Sequence, residues 1–375
     1  MRDTAAESQG RARRMRRTLR SLLLLVAMAA GAASAQETAP PAQAIADGGD
    51  ASTPAKPACP TAPGPSVQRA PPATATRAAN RIAVTLDDLP WVMDRNAPPA
   101  DLSEQHARLL AALRQACIPV IGFVNDGKLY QDDTLRPERM AMLEDWLRAG
   151  FELGNHTAWH SDLHAVGPRA FEADILDGER QLKPLLAKRG LAPRWFRHPF
   201  LRTGRSPEEK AAIDAFLADH GYRTAPVTVN SSEWIYALAY RKTLTEGGDA
   251  DTLAKVKDAY VAYMLSKLSY YARRSNELLG YNVPQVLLLH ANEINAASMP
   301  ELVAQIRARG YRFVSLDEAT ADPAYARPDH YAGELGTSWI HRWARTEGVR
   351  DDFYFGETPT PAWVKEIAGV AAGAE

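Results

Sequence analysis

Short apolar runs recur between longer amphipathic stretches along residues 80–318, and that alternation confines the chain to an α/β fold built on parallel strands. Two runs carry the argument. Pro119-Val120-Ile121-Gly122-Phe123-Val124 and Val286-Leu287-Leu288-Leu289 contain no charged residue. A strand with one wet face alternates apolar and polar residues, whereas an unbroken apolar run suits a strand covered on both faces. Strands are predicted at 82–86, 119–124, 151–154, 194–197, 223–229, 286–289 and 312–315. Helices are predicted at 102–116, 136–149, 168–189, 207–219, 252–279 and 298–309. Such a series closes into a barrel or opens into a doubly wound sheet. The polar residues favour the barrel. Asp87 and Asp88 follow the first strand, His156 and His160 the third, Arg197 ends the fourth, Glu233 follows the fifth and His290 the sixth. A barrel enzyme collects its site from several C-terminal strand ends, while a doubly wound sheet uses mainly one switch point.

The flanking segments read differently. Residues 1–35 have the layout of a secretory signal: a basic stretch from Arg11 to Arg20, an apolar stretch from Leu22 to Ala30 too short to span a bilayer, and Ala33-Ser34-Ala35 as cleavage site. Retention as an uncleaved membrane anchor is the alternative. Residues 36–79 are rich in Ala, Pro and Thr and are expected to be a disordered linker. Residues 80–318 form the expected catalytic domain. Residues 319–375, with Trp339-Ile340-His341-Arg342-Trp343 and Phe353-Tyr354-Phe355, form an expected extension packed on it. Seven arginines against Asp3 and Glu7 give the signal segment +5, so in a chain of net charge −1 the remainder carries −6. That balance argues against general nucleic-acid binding. The two cysteines, Cys59 and Cys117, are too few for a cysteine-based zinc site and are expected to be unpaired.

The chemistry concentrates at the strand ends. Two adjacent carboxylates at a strand end point different ways, so one can hold a metal while the other takes a proton. His156 and His160, four apart, would share one face of a helical turn and could bind one ion. Arg197 can form a forked pair with one of the carboxylates, and the Pro199-Phe200 turn can aim a backbone N–H at an oxyanion. His290 is placed to act as a general acid, with Glu233 raising its pKa. Each feature alone has an ordinary structural explanation: a turn, a capping histidine, a salt bridge, a core histidine. No phosphate-binding glycine loop and no Gly-x-Ser-x-Gly elbow is present.

Taken together, these residues resemble the polysaccharide deacetylases, the NodB-homology domain of carbohydrate esterase family 4. Thr85-Leu86-Asp87-Asp88 is similar to the first motif of that family and His156-Thr157-Ala158-Trp159-His160 to the second. Arg197-His198-Pro199-Phe200 is similar to the third, Asn230-Ser231-Ser232-Glu233-Trp234 stands at the fourth, and Leu288-Leu289-His290 at the fifth. The run Asp87 to Trp91 looks closest to an exported bacterial branch with a C-terminal extension. The resemblance implies a distorted (β/α)7 barrel. It implies that Asp88, His156 and His160 hold a divalent metal, usually zinc. Asp87 would be the base, Arg197 would orient it, Phe200 N–H would bind the oxyanion, and His290, tuned by Glu233, would be the acid. Trp234, Trp91 and Pro199 would contact substrate. The chain departs from the family pattern in Phe200 for Tyr and in Asn230 and Glu233 for Asp.

The expected function is removal of acetyl groups from an acetylated oligo- or polysaccharide, N-deacetylation first, by an exported protein, periplasmic or extracellular. An O-acetyl esterase on a xylan-like glycan, a small-molecule amidohydrolase and a glycan-binding relic without turnover are the alternatives.

Overall fold

The computed structural model describes residues 80–375, so the predicted signal segment and linker lie outside the described residues. Seven strands make the main sheet: β1 Asn80–Leu89, β2 Val120–Val124, β3 Glu152–Asn155, β4 Trp195–Phe196, β5 Arg223–Thr224, β6 Gln285–His290 and β7 Tyr311–Phe313. Every pairing in this sheet is parallel, in the order β5-β4-β3-β2-β1-β6, with β7 on the first residues of β1. The two ends of that order meet. Val229, just beyond β5, forms a parallel bridge with Leu287 of β6, supported by Val229 N–H donating to Val286 O at 3.0 Å and Leu288 N–H donating to Val229 O at 3.2 Å. The sheet therefore curls into a distorted barrel closed by one short seam. The predicted strand 223–229 is only two residues long as a strand, because it leaves β4 before it reaches β6.

Alternation along the strands explains where the polar groups go. Ile82, Val84 and Leu86 face the outer helical layer, while Ala83 packs inside with Ile121, Phe123, Trp195, Ala225 and Val286. Successive strand residues point to opposite faces, so Thr85 and Asp87 continue the inner column begun by Ala83, and His290 the one begun by Val286. The register sets Asp87 directly beside His290. Each buried aliphatic side chain in these layers contributes roughly 1.5–3 kcal/mol of transfer free energy. That gain can carry the cost of ordering polar groups at the top.

The outer helices are α1 Leu102–Gln115, α2 Pro137–Arg148, α3 Pro168–Asp177, α4 Pro207–Asp219, α5 Glu233–Thr245, α6 Ala250–Leu279 and α7 Glu293–Ala308. Pro opens α2, α3 and α4, and Ser206 and Asp249 accept N–H bonds as caps of α4 and α6, at 3.2 and 2.6 Å. The predicted helix 168–189 breaks after Asp177. A Cβ at Gly178 would lie 2.6 Å from Asn155 Oδ1, so the backbone there must pass close to the end of β3. Helix α7 begins five residues before the predicted start, because the Asn292 side chain caps it by accepting from Asn295 N–H at 3.0 Å. Cys117 is disulfide-bonded, which corrects the expectation of unpaired cysteines.

Beyond β7 lie α8 Trp339–Thr346 and α9 Ala362–Ala368. Trp339 N–H donates to Val227 O and Ser338 Oγ donates to Thr228 O, both at 2.7 Å. These bonds satisfy carbonyls in the irregular stretch between β5 and the seam. Among the described residues no helix is long and apolar enough to cross a membrane.

Candidate active site

Asp87 sits at the top of the inner column and is 3 % exposed. Its Oδ2 accepts from Arg197 Nη1 at 3.3 Å, and the other guanidinium nitrogen donates to Thr85 Oγ1 at 3.1 Å. Arg197, fully buried, also lies over the Phe123 ring, 4.7 Å from its centroid. Burial pushes the Asp87 carboxyl up to about 6, against the pull of Arg197.

Asp88 has φ of 70°, a left-handed turn that swings its carboxylate away from that of Asp87. Its Oδ1 lies 3.7 Å from His160 Nε2 and 3.9 Å from His156 Nε2. Ligand atoms of these three residues all fall within 4.8 Å of one another. The donor set fits a divalent ion. Burial holds both imidazoles below their ordinary range, and therefore neutral. Burial would raise Asp88, but Lys128, then His160, His290 and His156, hold it far below the usual carboxylate range. Asp88 Oδ1 is buried and accepts no hydrogen bond, although Lys128 Nζ approaches within 3.1 Å. Two neutral histidines and one anionic carboxylate would leave positions on a divalent ion open to further ligands.

The two histidines do not meet on a helical turn as expected. The segment 156–160 is irregular, with left-handed Thr157 (φ 64°) and His160 (φ 56°), and the imidazole centroids lie 4.8 Å apart. Side chains hold this loop in place of helical bonds. Asn155 Oδ1 accepts from Thr157 N–H at 2.8 Å, and Thr157 Oγ1 accepts from His160 N–H at 2.9 Å. The Asp174 carboxylate accepts from the N–H groups of Ala158, Trp159 and Ser161 at 3.1, 2.9 and 3.2 Å. His156 Nδ1 donates to Arg197 O at 2.7 Å, which fixes the tautomer and leaves Nε2 for the ion.

Across the pocket, His290 pairs through Nδ1 with Glu233 Oε2. Glu233 is 1 % exposed, and its other oxygen accepts from Asn292 Nδ2 at 2.6 Å and Asn295 Nδ2 at 2.7 Å. Burial alone would lower the His290 pKa; the Glu233 carboxylate, with help from Asp88 and Asp87, brings it up to about 9. The imidazolium then has Nε2–H left for the pocket.

Phe200 lies on a left-handed turn (φ 56°), its ring half exposed and 4.6 Å from that of His160. Trp234 is also exposed and lines the pocket. Two expected substrate contacts are corrected. Trp91 is fully buried, with its indole N–H donating to Glu293 Oε1 at 3.3 Å, because the chain turns back beneath the outer helices after Leu89. Pro199 is buried under its turn, where only its rigid geometry serves the site. Sequence reasoning missed Lys128, Thr85, Asp174, Asn292 and Asn295 as site-building residues. Their contacts join distant segments and leave no local pattern.

Asp87, Asp88, His156, His160, Phe200 and His290 open onto one hollow of about 910 Å³. A smaller hollow of about 250 Å³ lies beside it, sharing Asp88, Trp234 and His290 and reaching Val92, Ala237 and Leu238.

Residues 74–224 match the family model described as polysaccharide deacetylase. No curated protein matches the chain. Among solved structures it is similar to a family 4 carbohydrate esterase from Streptomyces lividans in complex with acetate, at 17 % identity and TM-score 0.40, over 64 % of this chain and 95 % of that one. A peptidoglycan deacetylase from Bacillus subtilis matches at 16 % identity and TM-score 0.40, over 66 % of this chain and 95 % of that one. A family 4 pseudoenzyme from Bacillus anthracis matches at 13 % identity and TM-score 0.42, over 64 % of this chain and 66 % of that one. The stretch 74–224, which carries Asp87, Asp88 and the two histidines, is a polysaccharide deacetylase region by its match to that family.

Proposed function

We propose that this protein is an exported, divalent-metal-dependent deacetylase that removes acetyl groups from N-acetylated glycans. Its catalytic unit would run over 80–318, with 319–375 as an extension. The observation that carries the reading is geometric: Asp87, held by Arg197, and His290, held by Glu233, open onto one hollow beside the Asp88, His156 and His160 cluster. Their surroundings raise both groups above their ordinary values, Asp87 to about 6 and His290 to about 9, so that near neutral pH one is a carboxylate able to take a proton and the other an imidazolium able to give one.

A divalent ion held by Asp88, His156 and His160, zinc by preference, supplies an electrophile that acidifies water and takes up negative charge. Asp87 accepts the proton of the attacking water, and Arg197 keeps its carboxylate oriented. The Phe200 N–H is the proposed donor to the developing oxyanion. His290 gives its Nε2 proton to the departing nitrogen while Glu233 stabilises the imidazolium. An amine leaves poorly without a proton, so an acid held protonated at neutral pH favours amide cleavage over ester cleavage. Trp234 offers an exposed aromatic face to the sugar.

The test is acetate release by the zinc-loaded protein from N-acetyl and O-acetyl oligosaccharides. Asp87→Asn protein and a chelated sample run beside it. Release from N-acetyl substrates that both controls abolish is expected. Release surviving both controls, or none from any glycan, would sink the proposal.

A further inference from the structure

The hollow is bounded on one side by chain that lies beyond 74–224. Lys267 and Tyr271 of α6 line it, as do Gly336, Glu357 and Glu375. These groups are tied to one another. Glu357 Oε1 accepts from the Tyr271 hydroxyl at 3.0 Å, and its other oxygen pairs with the Lys267 ammonium. Lys267 and Tyr271 are 4 % and 2 % exposed, so that cluster is anchored in the core rather than laid on the surface. Glu375 pairs with Lys365 at 2.6 Å and accepts from Thr360 N–H at 3.1 Å and Ser232 Oγ at 3.2 Å, beside Glu233.

The wall also reaches the other side of the reacting centre. A Cβ on Gly336 would lie 1.7 Å from Phe200 O, so residues 335–337 pass directly against the turn that carries the Phe200 N–H. The boundary thus runs from that turn, past Lys267, Tyr271 and Glu357, to the residue before Glu233. A glycan passing through the site would need an exit on that side. On that side the hollow is lined by a buried lysine and a tyrosine, both bonded to one glutamate, and a chain passing there would have to break both contacts.

We infer that the C-terminal segment and α6 make the site a closed-ended pocket. It takes the terminal sugar of an acetylated glycan, and Glu357 with Lys267 reads hydroxyls of that sugar. The inference rests on the deacetylase reading for its substrate class. Its geometry is independent of turnover.

The experiment uses full-length protein and N-acetylglucosamine oligomers of one to six sugars. In the first arm, zinc-loaded protein acts on reducing-end-labelled oligomers, and mass spectrometry locates each lost acetyl group. Loss from one chain end is expected; loss from internal sugars at comparable rates overturns the inference and leaves the deacetylase reading standing. In the second arm, calorimetry measures binding of the same oligomers to Asp87→Asn protein. Affinity that stops rising after the first few sugars supports a closed pocket, even if no acetate is released and the deacetylase reading falls. Affinity that rises with every added sugar, or no binding at all, overturns it. In the third arm, Glu357→Ala protein should raise KM for short oligomers by more than it lowers kcat, and should begin to attack internal sugars. An unchanged product pattern with unchanged KM also overturns the inference.

Discussion

Replacing Glu233 by Gln isolates the electrostatic half of the proposed acid. The amide is nearly isosteric and can keep Oε1 as acceptor for Asn292 and Asn295. What disappears is the negative charge against His290 Nδ1. That carboxylate is the foremost influence raising the pKa to about 9, while burial pulls it below the ordinary 6.5. Without it the pKa should fall by roughly two units, equivalent to about 3 kcal/mol less preference for the imidazolium. His290 must be protonated to act as acid, so activity falls as pH rises through its pKa. The alkaline limb of kcat/KM should therefore move from near 9 to about 7, and activity at pH 8 should fall about tenfold. The same shift has a stability consequence of defined sign. A folded pKa raised above the unfolded value means that the pair's contribution is complete below about 6.5 and lost as pH rises through about 9. The variant should lose most stability at pH 6 and little at pH 10. Rate profiles and thermal melts across pH check both, and NMR titration of the His290 ring checks the pKa without substrate. An alkaline limb and a ring titration that stay near 9 in the variant would refute the assignment of Glu233 as the group that tunes His290.

Other perturbations separate binding, catalysis and stability. Asp174→Asn sets amide hydrogens against backbone N–H donors of the 158–161 loop; zinc affinity by competitive chelation should drop about 10- to 100-fold, with little change in fold by circular dichroism. Gly336→Ala would press its methyl into Phe200 O, 1.7 Å away before relaxation; kcat should fall about a hundredfold or more while bound zinc, by elemental analysis, remains. Trp91→Ala empties a fully buried site and leaves Glu293 without the indole donor; denaturant titration should show a loss of about 3–5 kcal/mol.

How much was legible in the sequence follows from the range of each interaction. The apolar runs gave the parallel strands, because burial on both faces is a local property of each run, and the barrel followed from polar residues falling at several C-terminal strand ends. Identity and position were enough to gather Asp87, Asp88, His156, His160, Arg197 and His290, since parallel strands bring their C-terminal ends to one edge. The geometry between His156 and His160 was not legible. An i, i+4 spacing satisfies a helix and a loop equally, and the loop's actual supports, Asn155 and Asp174, act from outside it. Helix α5 was missed for a related reason. Ile235, Tyr236, Ala237, Ala239 and Tyr240 are all buried, so the segment lacks the polar stripe that marks a one-sided helix. Trp91, expected at the substrate from the family resemblance, is instead buried against Glu293, a contact 202 residues away in sequence.

The site is assembled in two parts that the chain delivers separately. The proposed base, its orienting arginine and the candidate metal cluster all come from residues up to 224, the stretch that matches the family. The proposed acid pair comes later, from Glu233 at the start of α5 and His290 at the end of β6, and is held by asparagines at the start of α7. The seam between Val229 and Leu287 joins the two parts. The β1–β6 pairing sets His290 beside Asp87, and the seam holds the other edge of the same strand. The C-terminal segment then fastens that seam through Ser338 and Trp339 while its neighbour Gly336 bears on Phe200. Barrel closure, the placement of His290 beside Asp87, and the boundary of the pocket are thus mechanically linked. A substitution that loosened the seam would therefore disturb the acid side before the metal side. Ser338→Ala, far from any proposed ligand, should weaken catalysis more than zinc binding, and a variant that lost zinc first would show the two parts to be joined some other way.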